Sequence, residues 1–243
     1  MIILNNWFGR LGNNIIQLSN IINIAITYKH NIIFNVKHKL FDLSVIKNYF
    51  DKYDNNEIIV DEHGFYYNTK LVYSNDVFTQ NIEERNKLLK KAFLINNVEK
   101  LNENDLVIHI RSGDIFISNP HPNYVPPPLS YYIKEINKRK YEKIIIICED
   151  NINPVINKLL KLYNNSIYKK NSLEKDISIL LGATNVIFSV GTFVPSLMLM
   201  SDNIKYLYGE VFHNQELEDY YKITKPWKNT QKQVNYILDY NNN

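Results

Sequence analysis

Cysteine is almost absent from this 243-residue sequence, in which Cys148 is the single example. A lone cysteine excludes an intrachain disulfide and a cysteine-based zinc site, so we expect a reducing, cytoplasmic environment. Long apolar runs are absent too, because even the segment 186–200 is broken by serine, glycine and proline. No stretch reaches the about 18–20 apolar residues that a transmembrane helix needs. The segment 1–30 is interrupted by polar residues without a cleavage site, so we expect no secretory signal.

An excess of charge is also lacking. The formal net charge is only +3 and the basic residues form no long block, so electrostatics do not imply a nucleic-acid partner. With 45% hydrophobic and 22% charged residues, the composition is that of an ordinary globular protein with one large domain or two small ones.

Short β-branched runs alternate with segments of helical periodicity along the chain. Strands are predicted at 1–5, 31–36, 57–60, 107–110, 143–147, 166–168, 186–188 and 204–208. Helices are predicted at 15–26, 82–94, 129–138, 152–162, 173–181 and 192–200. This alternation predicts an α/β fold with parallel sheets and helices on both faces. A polar run near 98–104 marks the boundary between two predicted domains, 1–100 and 101–243.

Ligands of open parallel sheets bind beyond the carboxyl ends of the strands, so the polar residues that follow each strand are the candidates for a site. The first group lies between the first strand and the first helix, where glycines let the backbone approach a ligand. It comprises Gly9, Arg10, Gly12, Asn13 and Asn14. The segment is neither G-x-G-x-x-G nor G-x-x-x-x-G-K-[ST], which argues against a dinucleotide-dependent oxidoreductase and a P-loop nucleotidase. The alternative interpretation is a turn capped by asparagine.

The second group follows the strand at 107–110. His109 and Arg111 project from the same side of this strand, and Gly113 lets the chain turn so that Asp114 faces the same cleft. A guanidinium offers a rigid, permanently charged fork that matches phosphate oxygens. The alternative is an ion pair between Arg111 and Asp114 that only shapes the loop, with His109 as a satisfied buried histidine.

Two further groups follow later strands. Glu149 and Asp150 could accept hydrogen bonds from a base or a ribose, although a helix N-cap at Asp150 or Asn151 is an equal alternative. The last group suits diphosphate binding through hydroxyls and helix N-terminal amides, with capping as the alternative. It comprises Ser189, Gly191 and Thr192.

Taken together, these four segments resemble those of fucosyltransferases. Gly9–Asn14 is similar to the G-R-[FL]-G-N-[QN] segment of α-1,2- and protein O-fucosyltransferases. His109–Asp114 resembles the H-x-R-x-G-D segment that those families share with α-1,6-fucosyltransferases. Cys148–Asp150 stands where they have a Ser-Asp-Asp-like segment, and Phe188–Phe193 where they have an N-S-S-F-S-like turn. The differences in the last two segments leave the choice of nucleotide base open.

The resemblance implies a GT-B-like fold of two Rossmann-type halves, with the acceptor on the N-terminal half and the donor on the C-terminal half. It implies an inverting, metal-independent glycosyltransferase that moves L-fucose from GDP-fucose onto a glycan hydroxyl. The absence of any D-x-D triplet agrees, because metal-dependent transferases commonly use such carboxylates. Alternative functions are a transferase that uses another GDP- or UDP-linked deoxysugar, and a non-catalytic module that binds nucleotide sugars or glycans.

By the same resemblance, Arg111 binds the β-phosphate with His109 beside it, and Ser189 and Thr192 hold the pyrophosphate. Glu149 or Asp150 helps to select guanine. Gly12 and Asn13 line the cleft from the N-terminal half. The general base is not evident: Asp114 is the candidate that the sequence favours, and the alternatives are Asp42, Asp61 and His121.

Two aromatic segments remain. The segment 120–132, with Tyr124, Tyr131 and Tyr132, borders the acceptor site if its aromatic faces stack on sugars, or else forms a proline-fixed surface connection. Tyr220, Tyr221 and Trp227 are interpreted as packing residues of the C-terminal part.

Overall fold

The computed structural model describes residues 1–54, 57–60, 80–95, 97–209 and 217–240. They divide into two compact units. The first comprises Met1–Asn97 and Pro195–Ser201, and the second comprises Val98–Val194 and Asp202–Asn243.

The first unit is built on a pair of short parallel strands. Its elements are β1 (Ile2–Leu4), α1 (Leu11–Tyr28), β2 (Ile32–Phe34), α2 (Leu43–Phe50) and α3 (Ile82–Ala92). β1 pairs with β2 in the register Ile2 to Ile32. The strand predicted at 57–60 is a single parallel bridge between Ile59 and Ile2. The sequence patterns did not predict α2, which begins where Asp42 accepts a hydrogen bond from the backbone of Ser44.

The second unit contains a five-stranded parallel sheet. Its strands are β3 (Asp105–His109), β4 (Lys143–Ile147), β5 (Ser166–Lys169), β6 (Asn185–Phe188) and β7 (Tyr206–Gly209). They are arranged in the order β5-β4-β3-β6-β7. Its helices are α4 (Leu129–Ile136), α5 (Pro154–Leu162), α6 (Leu173–Gly182), α8 (Glu218–Thr224) and α9 (Gln231–Asp239). Between β6 and β7, α7 (Phe193–Met198) starts in this unit and ends in the segment assigned to the first.

The central strands explain why this sheet forms. In β4 four consecutive isoleucines are buried, and in β3 every residue before His109 is buried. Strands covered on both faces show such unbroken apolar runs. The predicted α/β class with parallel sheets is confirmed. Within the described residues, no helix has both the length and the apolar character needed to cross a membrane.

The C-terminal helices pack on the loop between β3 and α4. Tyr220 and Trp227 are fully buried, which confirms their interpretation as packing residues. The Tyr220 hydroxyl donates to the Pro126 carbonyl at 2.6 Å, and the Trp227 indole N–H donates to the Ile115 carbonyl at 2.6 Å. The interpretation of 120–132 as a surface connection is wrong for its three consecutive prolines, because residues 126–128 are buried.

Candidate functional site

The carboxyl ends of three adjacent strands meet at one edge of the second unit's sheet. His109, the last residue of β3, pairs with Ile147 of β4 and with Phe188 of β6. Beyond this row, the Ser189 amide donates to the His109 carbonyl at 3.0 Å. The polar residues that follow these strands therefore come together, as expected for parallel strands in register.

Arg111 is the central charged group of this edge. Its Nε donates to Oδ1 of Asp114 at 3.1 Å and its Nη2 donates to Oδ2 at 2.8 Å. The two side chains are 17% and 31% exposed, so the pair is largely shielded while remaining open on one side. The Arg111–Asp114 ion pair considered from the sequence is thus present.

Two further groups border the Arg111 guanidinium. Its Cζ lies 3.9 Å from the centre of the Tyr124 ring, a cation–π distance. A Cβ added at Gly191 would lie 2.9 Å from Nη1, so the guanidinium uses space that only glycine leaves. Burial lowers the pKa of Arg111, but the hydrogen bond and charge of Asp114, with smaller contributions from Tyr124, leave that pKa above its ordinary value. Arg111 therefore carries a fixed positive charge.

Side chains from the neighbouring strands hold the backbone of Arg111. Its amide donates to the Ser189 hydroxyl at 2.8 Å, and its carbonyl accepts from the Asn153 side-chain amide at 3.0 Å. Asn153 is also the N-cap of α5, because its Oδ1 accepts from the Val155 amide. The sequence-based alternative that placed this cap at Asp150 or Asn151 is wrong. Pro154 at the first helical position was the signal for Asn153.

Glu149 and Asp150 lie at the same edge but in different settings. Oδ1 of Asp150 accepts hydrogen bonds from the Ser112 hydroxyl and from the Ile152 amide at 3.0 Å. Glu149 is exposed, and its carboxylate lies close to Gly113: a Cβ added at Gly113 would lie 2.5 Å from Oε1 of Glu149. Asp150 thus fixes the loop, whereas Glu149 presents its carboxylate at the surface.

His109 is half-buried beneath this edge, and its ring centroid lies 5.2 Å from that of Phe193. Burial and, to a lesser degree, the charge of Arg111 lower the pKa of His109 to about 4. The imidazole is therefore neutral near pH 7. A neutral His109 adds no positive charge beside Arg111.

The segment after β6 supplies the other side of the edge. Ser189 is only 1% exposed, and its hydroxyl accepts the Arg111 amide hydrogen bond. Gly191 has φ +118°, a conformation that disfavours other residues. Thr192 is half-buried and directly precedes α7. The Ser189 hydroxyl therefore serves to hold the Arg111 backbone.

The Gly9–Asn14 turn belongs to the first unit. Gly9 has φ +70°, and the Asn13 amide occupies the space that a Cβ at Gly9 would need. Asn14 donates to the Phe8 carbonyl at 2.9 Å, which closes the turn. Arg10 is exposed at the N-cap position of α1, and Gly12 is buried in its first turn.

His38 is a polar neighbour of this turn that sequence reasoning did not identify. Its Nδ1 accepts from the Leu40 amide at 3.1 Å, so Nε2 carries the proton and donates to Oδ1 of Asn14 at 3.4 Å. Burial lowers the pKa of His38, which favours this neutral form. No motif marks His38, because its position depends on the packing of the loop before α2.

The alternative candidates for a general base lie in different places. Asp42 is the N-cap of α2, where its Oδ1 accepts from the backbone and hydroxyl of Ser44. His121 is exposed, with its ring centroid 4.8 Å from that of Tyr124. Asp61 lies outside the described residues.

Among the described residues, no group of three or more histidine, cysteine, aspartate or glutamate side chains could hold a metal ion. A groove of about 640 Å³ lies between α2 and α3 of the first unit. Its lining contains none of the residues predicted for ligand binding: Val45, Asn48, Tyr49, Glu84, Lys87, Leu88 and Lys91.

Comparison with known proteins identifies the fold. No protein-family model and no curated protein sequence matches the chain. The chain is similar to the crystal structure of POFUT1 in complex with GDP-fucose, with a TM-score of 0.50, 10% sequence identity, and coverage of 86% of this chain and 97% of that chain. POFUT1 in complex with GDP matches over the same shares, with a TM-score of 0.48 and 10% identity. The fold is thus GT-B-like, with parallel sheets, as in the POFUT1 structure with a TM-score of 0.50.

Proposed function

We propose that the protein is a glycosyltransferase that binds a nucleotide-diphosphate sugar, GDP-fucose, at the carboxyl edge of the β4-β3-β6 strands. The observation that carries this proposal is the position of Arg111. Its guanidinium lies at the end of the central strand, oriented by Asp114 and next to Gly191, which has no side chain. A guanidinium held in this way matches the oxygens of a diphosphate.

The donor would occupy the Nη1 side of Arg111. Asp114 engages two of the five N–H donors of the guanidinium, those on Nε and Nη2. A β-phosphate beside Gly191 would meet the donors on Nη1. The Thr192 hydroxyl and the backbone amides after Gly191 would bind the remaining phosphate oxygens. Glu149 would contact the guanine base of the nucleotide.

Transfer would proceed by a single displacement. An acceptor hydroxyl oxygen forms a bond to the anomeric carbon while the bond from that carbon to the β-phosphate oxygen breaks, which inverts the anomeric centre. GDP leaves with the bonding electrons, and the acceptor proton passes to a base. The negative charge grows on the phosphate oxygen that Arg111 faces, where a preorganised cation lowers the barrier most. This chemistry requires no metal ion.

Asp114 is the first candidate for the general base. Both oxygens of Asp114 accept from Arg111, so a proton bound by the carboxylate would remove its negative charge and weaken both of these hydrogen bonds. We assign Asp114 first to orienting Arg111, and a proton-accepting role would come second. The first unit, with its Gly9–Asn14 turn, is proposed to serve the acceptor side.

The fold supports the choice of donor, because the similar POFUT1 structure binds GDP-fucose. The experiment is a thermal-shift screen with GDP, UDP, GDP-fucose, GDP-mannose and UDP-glucose, which needs no knowledge of the acceptor. We expect GDP and GDP-fucose to raise Tm most, and a response to UDP compounds alone would overturn the donor assignment.

Turnover is tested by incubating the protein with GDP-fucose and a panel of glycans, and then measuring the GDP released and the mass of each glycan. With the wild-type protein, we expect the mass of the glycan acceptor to increase by one deoxyhexose. In Arg111→Ala, we expect the transfer rate to fall by about 100- to 1000-fold. Binding of GDP-fucose without release of GDP would instead favour a nucleotide-sugar-binding module. Wild-type turnover by Arg111→Ala would contradict the mechanism.

A further inference from the structure

Tyr124 is the aromatic residue in contact with the guanidinium of Arg111. The centre of its ring lies 3.9 Å from Cζ of Arg111, so the ring covers one face of the charged group. Tyr124 is half-buried and is ten or more residues away along the chain from every residue of the His109–Asp114 segment. The contact therefore joins two separate parts of the loop between β3 and α4.

The ion pair with Asp114 cannot by itself fix Arg111 relative to the sheet. Arg111 and Asp114 are three residues apart, and Asp114 belongs to the short 3-10 helix Gly113–Ile115. The Arg111 backbone is held by Ser189 and Asn153, so a shift of this turn would move Asp114 and swing the guanidinium with it, while the hydrogen bonds between the two side chains stay intact. A contact on the face of the guanidinium from a distant residue removes this freedom.

The loop that carries Tyr124 is itself firmly attached. The Trp227 amide donates to the Pro122 carbonyl at 2.9 Å, and the Tyr220 hydroxyl donates to the Pro126 carbonyl at 2.6 Å. These bonds lie two residues before and two residues after Tyr124, and both Tyr220 and Trp227 are buried. The ring is thus supported from the core of the second unit.

From this arrangement we propose that Tyr124 is a positioning residue, which holds the Arg111 guanidinium in the plane that meets the donor diphosphate. The inference rests on the proposed function, since it assigns Tyr124 to the same donor site. It assigns one face of the Tyr124 ring to Arg111, so that an acceptor sugar could stack only on the opposite face.

The experiment compares Tyr124→Phe, which keeps the ring, with Tyr124→Leu, which removes it. Tyr206→Leu is the matched control, because the Tyr206 ring also stacks on an arginine, with Cζ of Arg139 at 3.3 Å, outside the proposed site. In the unliganded proteins, the Nε–Hε signal of Arg111 is followed by ¹⁵N NMR after assignment with Arg111→Lys. GDP affinity, kcat and KM are then measured for each variant.

In Tyr124→Leu we expect hydrogen exchange at Arg111 Nε to become faster, and GDP to bind about 5- to 30-fold more weakly, the range that a partly desolvated cation–π contact supplies. The value of kcat should fall, while Tm stays near the wild-type value. Tyr124→Phe keeps the ring and loses only the hydroxyl contact with Arg111, so it should lose less GDP affinity than Tyr124→Leu, and Tyr206→Leu should not differ from wild type.

Unchanged exchange and unchanged GDP affinity in Tyr124→Leu would overturn the proposal. Equal losses in Tyr124→Phe and Tyr124→Leu would also overturn it, since they would place the effect in the hydroxyl. If the wild-type protein binds neither GDP nor GDP-fucose, the proposed function fails, but the NMR comparison still decides whether Tyr124 orders Arg111.

Discussion

Asp114 offers both of its carboxylate oxygens to Arg111, with Oδ1 at 3.1 Å from Nε and Oδ2 at 2.8 Å from Nη2. The side-on geometry directs Nη1 toward Gly191. The sequence allowed two roles for Asp114, which were to orient Arg111 or to take the proton from the acceptor hydroxyl. The geometry favours the first role.

Asp114→Asn distinguishes these two roles. The amide keeps the shape of the side chain but places an NH2 group against one guanidinium donor, so Arg111 loses a charge-assisted hydrogen bond. If Asp114 orients Arg111, GDP affinity and kcat should both fall by about 10- to 100-fold, because hydrogen bonds to charged groups contribute about 1.5–3 kcal/mol. The pH profile of kcat/KM should keep its shape. Loss of its acidic limb with unchanged GDP affinity would identify Asp114 as the base instead.

His109 should make stability depend on pH in the acidic range. Its pKa is lowered from 6.5 to about 4, mainly by burial, so the unfolded chain binds the proton more readily than the folded protein. Stability should therefore decrease as pH falls from 6.5 toward 4, by up to about 3 kcal/mol from this group alone. His109→Gln should reduce this slope in urea denaturation at pH 7.0, 5.5 and 4.5.

Glu149 and Asp150 should respond differently to substitution. Asp150→Ala removes hydrogen bonds to Ser112 and Ile152, so we expect a loss of about 1–3 kcal/mol in unfolding free energy. Glu149→Ala changes an exposed side chain, so we expect a smaller loss of unfolding free energy than in Asp150→Ala. Isothermal titration should show a weaker preference for GDP over UDP in Glu149→Ala. If Asp150→Ala were stable and had lost this preference, the two assignments would have to be exchanged.

The sequence predicted the parts of the fold that local patterns specify. The bounds of β4 agree with the structure because its isoleucines are both β-branched and buried. Arg111 and Ser189, 78 residues apart, come together because they follow parallel strands that pair in register. Such proximity follows from the topology alone, once the strands are recognised.

Other contacts depend on packing that has no local signature. The ring of Tyr124 reaches Arg111 only because buried residues from the C-terminal helices hold its loop. The cap at Asn153 was missed because Asp150 and Asn151 are equally good capping residues by type. Only Pro154, at the first helical position, indicates that Asn153 is the cap. The structure also shows that Ser189 binds a backbone amide, which its residue type alone did not reveal.

Gly191 and Arg111 should be energetically coupled in donor binding. A Cβ at position 191 would lie 2.9 Å from Nη1, and φ +118° also strains any other residue there. Gly191→Ala should therefore weaken GDP binding by about tenfold through displacement of Nη1, and should lower Tm through backbone strain. A double-mutant cycle separates the two effects. In the Arg111→Ala background, Gly191→Ala should still lower Tm but should not weaken GDP binding further. Equal losses of GDP affinity in both backgrounds would show that Gly191 acts independently of Arg111, through its own contact with the diphosphate.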